Sequence, residues 1–63
     1  MTGNTSYKVQ VMRGRKLVER NCFEKEADAE KHFAFLERRY FRELFDFNVK
    51  ISMVYNKQFL KIV

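Results

Sequence analysis

Proline is absent from these 63 residues, glycine occurs twice, and cysteine and histidine occur once each. Each shortage excludes something. With no proline, no internal repeat and no low-complexity stretch, nothing marks a linker or a second domain. Cys22 has no partner for an internal disulfide, and Cys22 with His32 falls well short of the roughly four Cys or His ligands of a structural zinc site. Gly3 and Gly14 stand alone, so no glycine-rich loop is available to cradle a phosphate. No segment reaches the ~18 consecutive apolar residues of a membrane span, and MTGNTS at residues 1–6 has neither the charged nor the apolar region of a signal peptide. The expectation is a cytoplasmic protein in a reducing compartment, without membrane partner, metal or cofactor.

Catalytic chemistry is equally thin. A catalytic site needs convergent polar groups in a concavity, and a chain of hairpins and one helix leaves almost no residues for a cleft. His32 reads as a solvent-facing helix residue rather than a general base. Cys22 reads as a small buried or edge-strand residue, since no base stands near it to generate a thiolate. Glu24, Glu26, Asp28 and Glu30 are accounted for as a solvated helical face. We expect no catalytic residue, no small-molecule substrate and no enzyme activity, short of a homodimer that assembles a site from two chains.

What the chain does hold is aromatic and basic. Seven Phe and three Tyr in so short a chain supply about 150–250 Å² of buriable surface each. A domain this small buries only about 60% of its unfolded surface, so surplus rings are expected outside the core or at an interface. The net charge of +5 is unevenly distributed. Lys8, Arg13, Arg15, Lys16 and Arg20 precede the helical region, acidic residues crowd its start, and Arg38, Arg39 and Arg42 crowd its end. Acids first and arginines last also match a helix dipole. Such an excess suits a polyanionic partner and also serves ordinary solubility.

Tyr7, Val9 and Val11 alternate with Lys8, Gln10 and Met12, the period of a half-buried strand. Gly14 supplies the positive φ of a hairpin turn, and KLVERNCF returns as a second strand. Its buried face is ambiguous, because Leu17 and Phe23 lie on one side and Val18 and Cys22 on the other. A helix is predicted from about Glu24 to Glu26 onward, with Ala29, Phe33, Leu36, Tyr40 and Leu44 in one stripe and Phe47 extending it if the helix continues. Ala34, Phe41 and Phe45 form a second flank, and Phe35 points away among Lys31, Arg38 and Arg42. Phe47, Val49, Ile51, Met53 and Tyr55 alternate as a third strand. Asn56-Lys57 is a two-residue turn, and residues 58–63 form a last strand with Phe59, Lys61 and Val63 on one side. The fold class is thus α+β, β-β-α-β-β, with one long amphipathic helix packed on an antiparallel sheet. Residues 1–6 read as a flexible tail and 7–63 as a single small domain; strand order is left open.

Two kinds of surface suggest a partner. Arg13, Arg15, Lys16, Lys31, Arg38, Arg39 and Arg42 can engage phosphates, with Phe35 interleaved to stack on a base. The open sheet face adds Lys8 and Lys50, but no strand aromatic clearly alternates onto it. Alternatively Phe35, Phe41 and Phe45 anchor a protein partner or a homodimer, in a segment with the Phe, Tyr and Arg composition of interface cores. The edge strand at residues 58–63 offers strand addition, whereas in the simplest case Phe41 and Phe45 pack within the monomer. Residues 7–36, an alternating strand, a glycine turn, a return strand and KEADAEKHFAFLE, resemble a pattern common in short proteins of bacteriophages and mobile elements. That resemblance implies an accessory protein that binds and regulates or inhibits a host protein, and it carries over no functional residue.

Overall fold

The computed structural model describes residues 6–63, so the tail expected at residues 1–6 lies, apart from Ser6, outside the described residues. The elements follow in the order β1 (Tyr7–Arg13), β2 (Lys16–Phe23), α1 (Glu26–Arg39), α2 (Phe41–Phe45), β3 (Lys50–Tyr55) and β4 (Gln58–Ile62). The fold is α+β, two hairpins joined through the helical segment. All four strands form one antiparallel sheet ordered β2-β1-β3-β4. Pairing of β1 with β3 makes the two hairpins continuous. It also leaves β2 and β3 parallel with β1 between them, and a helix is the usual way to span such a crossover.

Local chemistry explains both turns. Arg13 pairs with Lys16, leaving Gly14-Arg15 as the loop, and Gly14 alone takes a positive φ of 62°, the first-position glycine of a II′ hairpin. Nothing lies within 4 Å of a Cβ placed there, so the demand for glycine is conformational rather than steric. Asn56 and Lys57 both have positive φ, 54° and 67°, the pattern of a I′ turn.

One sheet face and one helix stripe meet in the core: Val9, Val11, Ala29, Phe33, Leu36, Val49, Ile51 and Met53, flanked by half-buried Tyr7, Phe23, Tyr40 and Leu44. The five residues of the expected helical stripe are all there. Burial of each large side chain is worth about 1.5–3 kcal/mol. Helix α1 starts after Lys25 without a side-chain cap, and Glu26 and Asp28 in its first turn and Arg38 and Arg39 in its last complement the dipole instead.

The helical run turns at Tyr40, whose φ of −105° and ψ of 27° are off helical geometry. Its hydroxyl donates to Glu19 Oε2 on β2 at 2.6 Å, tying the turn to the sheet while Leu44 continues onto the core. Beyond α2 the expectation for Phe47 fails. Phe47 neither extends the stripe nor joins β3; it has φ 59° and is 93% exposed. Phe47 N–H donates to the Leu44 carbonyl at 3.1 Å and Asn48 N–H to the Glu43 carbonyl at 2.8 Å. That pair of bonds is the Schellman arrangement, in which the left-handed position is normally glycine.

Two bulges settle the strand faces. The register of β1 on β2 shifts between Val11 and Met12, so Leu17 pairs with Met12 while Phe23 pairs with Tyr7. Leu17 therefore lies on the open face and Phe23 on the helix face, although they share parity in sequence. The second shift, between Met53 and Val54, pairs Phe59 with Val54 and Lys61 with Met53. Phe59 and Lys61 were expected on one side; the bulge separates them, and Lys61 Nζ sits 5.1 Å from the centre of the Phe33 ring. A strand aromatic, Phe59, thus does reach the open face.

Candidate functional site

The topology brings the first hairpin turn and the end of the helical segment to the same end of the domain. Strand β1 runs from Tyr7, near Glu26 at the start of α1, toward Arg13 at the opposite end. Helix α1 runs the same way, and its last residues reach β2 through the bond from Tyr40 to Glu19. Met12 pairs with Lys50, and a shallow groove between turn and loop is lined by Met12, Gly14, Phe47, Asn48, Val49 and Lys50.

Of the expected phosphate-binding residues, Arg13, Arg15, Lys16, Arg38, Arg39 and Arg42 all lie at this end and all are exposed. Lys31 does not join them. It is seven residues before Arg38, about two helical turns away. Lys50 joins instead. Taking residues 13–19 and 37–50 together, seven basic residues stand against Glu19, Glu37, Glu43 and Asp46, a net +3. Glu24 and Asp28 sit at the other end, at or just before the start of α1.

Among these charges stand three phenyl rings. Phe41 is 67% and Phe45 75% exposed, and Phe47 more exposed than either, so neither helix-flank ring packs within the monomer. Phe41, Arg42, Phe45 and Asp46 line one hollow. Phe47 borders two others, the groove toward the hairpin turn and one lined by Leu44, Phe47, Val49, Lys50, Ile62 and Val63. Phe47 was not among the expected site residues. The segment around it holds no glycine to signal a left-handed helix end, and its spacing continues both the helical stripe and the strand.

Phe35 belongs elsewhere. Its ring stacks on His32 at 5.8 Å, and His32 in turn lies 5.3 Å from Phe23. His32 Nε2 is 2.9 Å from Asn21 Nδ2, whose amide donates when Nε2 carries no proton. His32 is thus half-buried, against the expectation of a solvent-facing residue. This row closes the seam between α1 and β2, and Phe35, still 52% exposed, is its outer ring.

The open sheet face carries Lys8, Arg20 and Lys50, with Gln10 accepting from Arg20 Nε at 3.4 Å and with Phe59 near its edge. Cys22 is exposed there, paired with Lys8. Among the described residues no group of three or more His, Cys, Asp or Glu is placed to hold a metal ion, and no helix is long and apolar enough to cross a membrane. No family model, curated protein or solved structure matches the chain.

Proposed function

We propose that the protein is a small non-enzymatic module that binds nucleic acid at the end where the first hairpin turn meets α2. One observation carries the reading. Two basic clusters far apart in sequence come to the same end of the domain, where three exposed phenyl rings also stand, Phe41 and Phe45 beside Arg42 and Phe47 on the groove to the first hairpin turn. Arginines contribute phosphate contacts that fix the strand, and exposed aromatic rings beside a basic surface are the means by which bases are held without sequence readout. A second reading rests on β4, an edge strand exposed along its length, with Phe59, Leu60 and Ile62 outward. An edge of that kind takes an added strand, as a phage-type regulator or inhibitor of a host protein would use.

Salt separates the two. Each phosphate neutralised adds about −0.7 to −0.9 to the slope of log affinity against log salt, whereas apolar docking holds or tightens. Fluorescence anisotropy with a labelled mixed-sequence oligonucleotide is expected to show binding that weakens steeply with salt. Arg15→Glu with Arg42→Glu should lower affinity about ten-fold or more and flatten the slope. A protein that ignores the oligonucleotide at low salt would refute the reading.

A further inference from the structure

We infer that the ligand at this end is a single strand, and that Phe47 is the platform on which an unpaired base stacks. The inference rests on the nucleic-acid reading above and specifies the form of its ligand. Phe47 holds a left-handed conformation that is costly for any residue with a Cβ, at a position normally given to glycine. Its ring recovers very little by burial, since it is almost wholly in solvent. Two backbone hydrogen bonds, at 3.1 and 2.8 Å, hold the segment in place, so the ring is presented on a fixed backbone rather than a loose loop. Backbone strain that persists without a packing reason clusters at binding positions.

The surroundings narrow the chemistry. Phe47 stands between the groove that leads to Gly14, with Arg13, Arg15 and Lys16 around that turn, and the apolar groove toward Val49 and Ile62. A strand with its phosphates on the arginines would bring bases over Phe47, with Phe45 and Phe41 beyond. In a duplex the base faces are already stacked and paired, so a phenyl ring gains no contact without prising them apart. A second copy of this chain would bring one net-positive end against another. An acidic strand with free base faces answers both the charge and the rings.

The experiment compares three labelled probes of equal length by anisotropy: a single strand, the same sequence as a duplex, and an abasic strand that keeps only sugar and phosphate. The expected order is single strand tightest, with duplex and abasic strand weaker. Phe47→Ala, which leaves the core untouched, should weaken the single strand about ten-fold, as loss of one stacked base does. It should leave abasic binding and the salt slope unchanged, whereas Arg15→Glu should change the slope. Equal binding of all three probes, or a Phe47→Ala protein that binds the single strand normally, overturns the inference while nucleic-acid binding stands. Failure to bind any probe, with a salt-resistant dimer that Phe47→Ala dissolves, overturns both and assigns the ring to a second copy.

Discussion

Replacing Phe47 by glycine should make the protein more stable, which is unusual for removal of an aromatic side chain. At φ 59° a residue with a Cβ is held at a cost of about 1–2 kcal/mol, and glycine removes that cost. Against this, the ring is 93% exposed, and burial of the remainder is worth only about 0.3 kcal/mol at roughly 25 cal/mol per Å². Glycine also loosens the unfolded chain, by about 0.4–1 kcal/mol. The balance is a gain of about 0.5 kcal/mol. For a domain of this size 1 kcal/mol moves Tm by about 4–8 °C, so a rise of about 2–4 °C is expected. Phe47→Ala keeps the Cβ and should leave Tm nearly unchanged. The assay is thermal unfolding followed by circular dichroism, repeated at several protein concentrations, because association would make Tm concentration-dependent. A clear fall in Tm for Phe47→Gly, independent of concentration, would refute the reasoning, because it would mean that the ring is packed or the backbone relaxed.

Tyr40→Phe removes the bond to Glu19 and should lower stability by about 1 kcal/mol at neutral pH, below the roughly 1.5–3 kcal/mol of a bond to a charged acceptor because the half-buried site is screened by solvent. That bond, together with burial, raises the Tyr40 pKa above its ordinary value near 10. A raised phenol contributes stability fully present below the unfolded value of about 10 and lost as pH climbs through the folded one. The gap between wild type and variant should therefore close at strongly alkaline pH, and urea titrations showing a constant gap would contradict this. Tyr7 is raised as well, by burial and by nearby Glu26, and adds to the alkaline loss in both proteins. Phe33→Ala, at a side chain 1% exposed, should cost about 3–5 kcal/mol. That is comparable to the whole stability of so small a core, so the variant should show a collapsed amide spectrum by NMR, and a dispersed one would show the core to be misjudged.

Most of the architecture was legible because it depends on short-range periodicity. Val9 and Val11, Ile51 and Met53, and the stripe Ala29, Phe33, Leu36 declare their elements by spacing alone. Gly14 and Asn56-Lys57 declare the turns by backbone preference. Legibility ended at irregularities that no residue type announces. The bulge beside Val18 explains why β2 showed two half-apolar faces, and the bulge in β4 sends Phe59 and Lys61 to opposite faces. Phe47 fitted two periodic patterns and belongs to neither, because a Schellman ending was made without glycine.

The candidate site divides in the same way. Arginine-rich clusters and surplus rings follow from composition and local order, which one-dimensional reading captures. Which of those charges are neighbours depends on strand order. Pairing β1 with β3 and sending α1 along the sheet put Arg13, Arg15, Lys16, Arg42 and Lys50 at one end of the domain, left Lys31 behind, and drew Phe35 into the seam with His32. Register and crossover are long-range choices, stabilised by contacts between residues remote in sequence, so only the tertiary structure could decide them.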